Sequence, residues 1–170
     1  MTDREKQLSA AIRQIEDCIE QAEVGLPEEV FLFVSRIIPL VNVDLLIQDN
    51  KKRTLLTWRD DRFYGPGWHV PGGIIRYKET CADRIRHVAR QELGAEVDTD
   101  PSPMFVLQSI APEKTDRAHA ISLLYRCRLK SCLDERQRFT PESPLPGQWQ
   151  WHAHCPENLI QEQQEYAVFF

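Results

Sequence analysis

The order of helical and strand patterns along the chain predicts an α+β domain built around a mixed β-sheet. Near the N-terminus and again in the middle of the chain, apolar residues recur at intervals of three and four, as in amphipathic helices. Between and after these two segments lie stretches rich in alternating apolar residues, which are typical of strands. Strands on both sides of a central helix favour helices packed against a sheet.

Residues 2–24 are predicted to form the first helix. Thr2 and Glu5 have the spacing of a capping box. A second helix is predicted to start at Pro27 and to run to about residue 37. The first helix needs a partner surface, either the main domain or a second subunit, because its apolar side chains form one stripe. That stripe consists of Leu8, Ile12, Ile15, Ile19 and Ala22.

Several segments are predicted to be strands, because they alternate in polarity or are rich in β-branched and aromatic residues. A turn at residues 49–52 joins the first two of them, and a polar loop at residues 111–118 joins the next two. The predicted strands are residues 40–48, 53–58, 104–110, 119–129 and 149–151, and Trp68 and His69 are also placed in a strand.

The central helix is predicted over residues 80–93. Thr80 and Asp83 have the spacing of an N-cap pair. Gly94 is a natural C-terminal stop, because glycine adopts a left-handed conformation without strain. Pro156 is predicted to open a final helix.

Composition and charge exclude several classes of protein. The length of 170 residues fits one domain. A net charge of -5 argues against non-specific binding to nucleic acid, which needs a positive field. The five cysteines are scattered and contain no C-x-x-C pair, which indicates reduced thiols. With no membrane-spanning stretch in the sequence, we expect a cytoplasmic protein with neither a membrane nor a nucleic acid as partner.

The glycine-rich break before the central helix, together with the end of that helix, carries the predicted chemistry. Positions 88, 91 and 92 share one helix face because they are spaced i, i+3 and i+4. Carboxylates on such a face converge on a hard divalent cation, which prefers oxygen ligands. The glycines allow close backbone approach, so the carbonyl of Gly72 can join the ligands. A metal there binds phosphates and neutralises charge on a leaving group.

This segment resembles the Nudix box, and Trp68-His69-Val70-Pro71-Gly72 resembles the usual lead-in to it. The resemblance implies a Nudix-type α/β/α sandwich with a mixed β-sheet, with Mg²⁺ or Mn²⁺ as the cofactor. It also implies that residues 27–170 form the Nudix domain and that residues 1–26 are an N-terminal helical extension. The residues in register with the box are Gly73, Glu79, Ala89, Glu92, Gly94 and Ala95.

Three positions of the box depart from the pattern. His87 stands where the pattern has arginine, and Val88 stands where it has the next glutamate. Gln91 replaces the first of a pair of glutamates, so Glu92 is the carboxylate that remains on the predicted metal face. We therefore expect the free protein to hold magnesium weakly and to depend on the substrate's diphosphate to complete the ligand shell.

A similarly reduced box occurs in the GDP-mannose mannosyl hydrolases, a group within the Nudix superfamily. The segments 39–44 and 91–94 resemble that group, as do Leu55-Leu56 and the loop that holds Arg59. The resemblance, which covers roughly residues 28–155, implies hydrolysis of a nucleoside-diphosphate sugar. Water would attack the anomeric carbon and nucleoside diphosphate would leave, and the protein would be a homodimer.

The same resemblance suggests roles for individual residues. Gly72 (through its carbonyl), Glu92 and Gln91 are the predicted metal ligands, and Arg59 is predicted to contact the diphosphate. Glu92, His87 and His119 are the candidate catalytic residues. The general base of the group has no counterpart at its expected place. The substitutes considered for it are Gln148, His152, His119 and Glu142.

Two alternative functions stay open. One is cleavage of a nucleotide phosphoanhydride, the commoner Nudix reaction, which two missing carboxylates disfavour. The other is a module that binds a nucleotide sugar without turnover, which is favoured by His87, Val88, Gln91 and the missing base.

Overall fold

A computed structural model describes all residues from 1 to 170, and its first helix, α1, spans Asp3–Asp17. The predicted capping box is confirmed: the Thr2 hydroxyl accepts the backbone N–H of Glu5, and the Glu5 carboxylate accepts the backbone N–H of Thr2. The predicted end at residue 24 is wrong. Acidic side chains at Glu16 and Asp17 face the negative end of the helix, with no basic residue in the last turn to offset them.

The second helix, α2, spans Glu28–Ser35 and follows Pro27, as predicted. By contrast, α1 buries none of its residues, and Leu8 and Ile12 of its apolar stripe are exposed. Ile15, Ile19 and Ala22 of the stripe are half-buried, so the structure leaves the stripe only partly covered. None of the helices combines the length and the apolar character that a membrane span requires.

Eight strands and one further α-helix, α3 (Cys81–Leu93), build the rest of the fold. Thr80 caps the start of α3 by accepting the backbone N–H of Asp83, and Gly94 ends it with a φ of 58°, so both predicted boundaries are confirmed. The strands are β1 (Leu40–Ile47), β2 (Thr54–Arg59), β3 (Gly67–His69), β4 (Gly72–Ile74), β5 (Val97–Thr99), β6 (Phe105–Ile110), β7 (His119–Leu129) and β8 (Trp149–His152).

The strands form two sheets. In the larger sheet, β1 lies between β4 and β7, and β7 also pairs with β5 and β6. The pairing of β1 with β7 is parallel and the other pairings are antiparallel, so the predicted mixed sheet is confirmed. The smaller sheet is antiparallel, in the order β3-β2-β8. The strands β4 and β5 were not predicted, because three residues are too few for a periodic pattern.

Both faces of β1 are buried. Val43, Leu45 and Ile47 pack in a cluster with α3, whereas Leu46 belongs to a second cluster that includes Tyr166 from the C-terminal segment. One covering layer of the α+β sandwich is therefore α3, and the other is that C-terminal segment.

The final helix predicted from Pro156 is instead a 3₁₀ helix over Gln161–Phe169. Its side chains are held by tertiary contacts. Gln163 accepts the backbone N–H of Val70 at 2.7 Å, and the Tyr166 hydroxyl donates to a side chain of β1. These contacts, rather than a helical stripe of apolar residues, fix the backbone of this segment.

Candidate functional site

A cavity of about 430 Å³ opens where the two sheets approach the C-terminal end of α3. Three of the six predicted site residues line it. They come from three different elements: Arg59 ends β2, Gly72 begins β4, and Glu92 lies in the last turn of α3. The fold therefore brings together residues that are separated by up to 33 positions in the chain.

The other three predicted site residues lie elsewhere. His87 and Gln91 are exposed on α3 and do not line the cavity. His119 begins β7, where its Nε2 lies 3.0 Å from the side-chain nitrogen of Gln108, and it too is absent from the cavity wall. The structure therefore does not bring these three residues together with Arg59, Gly72 and Glu92 in the cavity wall.

Two residues of the smaller sheet, Thr57 on β2 and His69 on β3, hold the side chain of Glu92. The hydroxyl of Thr57 donates to Oε2 of Glu92 at 3.2 Å, and Nε2 of His69 lies 3.5 Å from the same oxygen. Nε2 of His69 also lies 3.3 Å from the Thr57 hydroxyl. These contacts orient the Glu92 carboxylate toward the cavity, which His69 also lines.

Position 88, where the Nudix box has a glutamate, is part of the core. Val88 is 3% exposed and packs in the cluster between α3 and β1. It lies so close to Gly73 that a Cβ atom added there would be 2.8 Å from Cγ2 of Val88. Val88, Gln91 and Glu92 thus point to the core, to solvent and to the cavity respectively, so α3 supplies one carboxylate to this site.

Glu79, another position of the box, does not line the cavity. Its carboxylate accepts the backbone N–H of Arg76 at 2.9 Å and Nε of the buried Arg84 at 2.8 Å. Its contacts therefore fix the loop that leads into α3.

Asp44 also lines the cavity, although no pattern in the sequence predicted it as a site residue. It lies on β1, is 4% exposed, and accepts a hydrogen bond of 2.7 Å from the Tyr166 hydroxyl. Burial raises the pKa of Asp44 to about 6, and the negative charge of Glu92 adds a smaller contribution in the same direction. The available signal was an acidic residue inside the mostly apolar strand at residues 40–47.

Asp44 and Gly72 are directly paired across β1 and β4. A Cβ atom at position 72 would lie 2.1 Å from Oδ1 of Asp44 and 2.9 Å from the carbonyl oxygen of Val43. Only glycine fits here, so the close backbone approach predicted for Gly72 is made to a carboxylate.

The oxygen donors of Glu92, Asp44 and Gly72 suit a magnesium ion that is bound together with a substrate, rather than a metal ion held by protein side chains alone. No group of three His, Cys, Asp or Glu side chains is close enough to hold an ion. Magnesium in nucleotide enzymes uses one or two carboxylates and completes its shell with phosphates and water. The carboxylates of Glu92 and Asp44 and the carbonyl of Gly72 match that donor set.

Two guanidinium groups line the same cavity. Arg59 donates to Asp61, and its guanidinium lies 4.4 Å from the ring centre of Tyr64. The second group belongs to Arg117, which lies in the loop between β6 and β7 and was not selected from the sequence. The cavity can therefore attract an anion as well as a divalent cation.

The four residues considered as a general base do not line the cavity. Gln148 is occupied, because its side-chain oxygen accepts the backbone N–H of Leu145 at 2.9 Å. His152 packs against the ring of Trp68, and burial lowers its pKa to about 4. Glu142 is exposed.

Comparison with family models finds no match. A curated relative, the low-salt glycan biosynthesis protein Agl8 of Haloferax volcanii, is 35% identical over 72 residues. That match covers 42% of this chain and 46% of the relative, so the aligned part is less than half of either protein.

Solved structures resemble a larger part of the chain. A protein of Jonesia denitrificans, described as a possible asymmetric diadenosine tetraphosphate hydrolase, aligns with a TM-score of 0.60 and 19% identity over 78% of this chain and 92% of its own. A MutT Nudix hydrolase of Burkholderia pseudomallei aligns with a TM-score of 0.59 and 18% identity, over 77% and 97%.

An ADP-ribose pyrophosphatase of Streptococcus suis also aligns, with a TM-score of 0.52 and 18% identity over 78% of this chain and 89% of its own. The names of the Jonesia and Streptococcus proteins state different substrates, but all three proteins share one arrangement of strands and helices with this chain. The chain therefore has the fold of the Nudix hydrolases.

Proposed function

We propose that this protein hydrolyses a nucleoside-diphosphate sugar, with water attacking the anomeric carbon and nucleoside diphosphate leaving. The observation that carries the proposal is that one cavity holds the carboxylate of Glu92, the glycine backbone at Gly72 and the guanidinium of Arg59. Oxygen donors for magnesium and a cation for phosphate are the two requirements for binding a diphosphate.

The position of Val88 supports attack at carbon rather than at phosphorus. With Val88 in the core, α3 presents a single carboxylate to the cavity. A protein that neutralises a departing diphosphate needs less metal-bound charge than one that must also activate water for attack on phosphorus. The name of the Haloferax relative, which places that protein in glycan biosynthesis, supports a sugar-bearing substrate.

The chain's own residues would bind the diphosphate and accept a proton. Glu92, Gly72 and Asp44 would hold magnesium, which, when bound, supplies positive charge to the leaving diphosphate. Arg59 adds charge from the end of β2. The bond between the anomeric carbon and the phosphate oxygen breaks as the water oxygen bonds to that carbon.

One cavity group outside the proposed magnesium donors can accept the proton of the attacking water. His69 lies in the cavity wall beside Glu92. An imidazole is a common general base at neutral pH. His69 lines the cavity, whereas the four residues that the sequence suggested as bases do not.

An isotope experiment tests the bond that is broken. The protein is incubated with GDP-mannose or related nucleotide sugars and magnesium in water enriched in ¹⁸O, and the products are identified by phosphorus and proton NMR and by mass spectrometry. We expect free sugar that carries the label and unlabelled nucleoside diphosphate. Label in a nucleoside monophosphate or a sugar phosphate would instead establish phosphoanhydride cleavage, the reaction that the names of the Jonesia and Streptococcus proteins suggest.

A matched pair of variants links turnover to the cavity. Glu92→Gln keeps the shape of the side chain and removes its charge, and we expect at least a hundredfold loss of turnover. Glu96→Gln is the control, because Glu96 is exposed just beyond the end of α3 and forms a surface ion pair with Arg90. Equal turnover of the two variants would contradict the role given to Glu92.

A binding module without turnover is the second candidate. It is favoured by the placement of His87 and Gln91 outside the cavity. Calorimetry separates it from the enzyme: binding of GDP-mannose with no product after prolonged incubation would establish the module. The homodimer implied by the sequence resemblance is part of the same proposal, and light scattering in solution tests it.

A further inference from the structure

Arg117 differs from the other cations near the cavity in having no acidic partner. Arg59 is paired with Asp61 and Lys114 with Glu162. Arg117 forms no ion pair, and its Nε is buried with no hydrogen-bond partner. Burial lowers the pKa of its guanidinium, which nevertheless stays charged at neutral pH. A partly buried charge without a counter-ion is costly unless a ligand supplies one.

Contacts with the surrounding chain fix the backbone at Arg117. Its φ is 56°, a left-handed conformation that is unfavourable for a residue with a side chain. Its backbone N–H donates to the hydroxyl of Ser35 at 3.1 Å, and the next residue back, Asp116, pairs with Arg36 at 2.7 Å. The C-terminal end of α2 therefore anchors the loop that carries Arg117.

Aromatic rings fix the side chain itself. The guanidinium of Arg117 lies 4.8 Å from the ring centre of Phe63, 5.0 Å from that of Tyr64 and 5.7 Å from that of Phe31. Arg59 approaches the same Tyr64 ring at 4.4 Å. Aromatic faces stabilise a cation without using its N–H donors. The Nε–H of Arg117 thus has no partner within the protein, and the side chain lines the cavity in which a ligand can supply one.

We propose that Arg117 binds a phosphate group of the ligand and acts with Arg59 as a second guanidinium on the diphosphate. The substrate class rests on the proposed function, whereas the anion site itself rests on a fixed guanidinium in the cavity wall whose Nε–H has no partner in the protein. A planar guanidinium binds two phosphate oxygens at once through parallel N–H donors. Binding therefore depends on the arrangement of the ligand's oxygen atoms as well as on its charge. The cavity then selects ligands that carry a diphosphate over those that carry a neutral sugar alone.

Binding of inorganic pyrophosphate and of GDP, each with and without magnesium, tests this role by calorimetry. We expect Arg117→Gln to weaken binding by about 10- to 100-fold, since a charge-assisted pair of hydrogen bonds is lost. Arg117→Lys should recover only part of that loss, because it restores the charge without the planar donor pair. Arg128→Gln is the control, as Arg128 forms a surface ion pair with Asp100 and does not line the cavity.

A second measurement separates ligand contact from a structural role. In protein labelled with ¹⁵N-arginine, the Nε–Hε signal that disappears in Arg117→Gln is assigned to Arg117, and we expect it to shift on addition of pyrophosphate. Thermal unfolding of each variant checks that it is folded.

The proposal is overturned if the wild-type protein binds neither ligand in either condition, if the signal does not move, or if Arg117→Gln binds like the wild type. Failure of the proposed function has a different signature, since pyrophosphate would still bind at Arg117 while no nucleotide sugar is hydrolysed.

Discussion

The hydroxyl of Thr57 donates to the carboxylate of Glu92 across 3.2 Å and so connects the smaller sheet to α3. Thr57 is fully buried on β2, and Glu92 is the carboxylate that α3 presents to the cavity. A carboxylate fixed by a buried donor needs no reorientation when a cation binds. The orientation of Glu92 therefore depends on a residue that lies 35 positions earlier in the chain.

Removal of that donor should lower activity. Thr57→Val keeps the shape of the side chain and deletes its hydroxyl, and we expect turnover to fall about tenfold, because a hydrogen bond to a charged group is lost. The half-saturating magnesium concentration should rise in the same assay. Thr54→Val is the matched control, since Thr54 is equally buried on β2 but bonds to Gln48, away from the cavity. A similar loss in both variants would indicate a general effect on β2.

Asp44→Asn should change the pH dependence of stability. Burial raises the pKa of Asp44 from 3.8 to about 6, so between these pH values the folded protein binds more protons than the unfolded chain. The contribution of Asp44 to the free energy of unfolding therefore falls as pH rises through this window. Relative to wild type, we expect the variant to gain stability between pH 4 and pH 7, by up to about 3 kcal/mol.

Urea unfolding at several pH values in the presence of EDTA measures this difference. Asn can still accept the hydrogen bond from the Tyr166 hydroxyl, so the packing is preserved. Asp98→Asn, a change at an exposed position, is the control. A stability difference that stays constant from pH 4 to pH 7 would contradict the raised pKa of Asp44.

The contact between Gly73 and Val88 can be tested by a double-mutant cycle. A Cβ atom at position 73 would lie 2.8 Å from Cγ2 of Val88, so Gly73→Ala should cost about 1–3 kcal/mol of stability through overpacking. Val88→Ala removes the obstructing methyl group and leaves a small cavity. The double variant should be less destabilised than the sum of the two single variants, by about 1 kcal/mol. Additive effects in urea unfolding would show that α3 does not pack on β4 in this register.

Deletion of residues 1–26 should leave the remaining domain folded. The helix α1 buries none of its residues, so its removal exposes little of the core. We expect the free energy of unfolding to change by less than about 1 kcal/mol, as for surface changes in general. If the stripe on α1 joins two subunits, light scattering should show a dimer for the full chain and a monomer for residues 27–170. A large loss of stability at constant mass would place α1 within the main domain instead.

Local patterns in the sequence were sufficient for most of the fold. Thr80 and Gly94 marked both ends of α3, because capping depends on residues close together in the chain. The long strands β1 and β7 were found for the same reason, since their composition and alternation are local properties. Glycine spacing and register also singled out Gly72 and Glu92, both of which line the cavity.

The tertiary structure alone decided the rest of the site. The sequence predicts that positions 88, 91 and 92 share a helix face, but the packing of β4 against α3 places Val88 in the core and leaves Gln91 in solvent. The strand order β4-β1-β7 places Asp44 in the cavity wall. A loop anchored on α2 places Arg117 there. Contacts between residues so distant in the chain depend on strand pairing and on burial of both faces of β1, which no local pattern specifies.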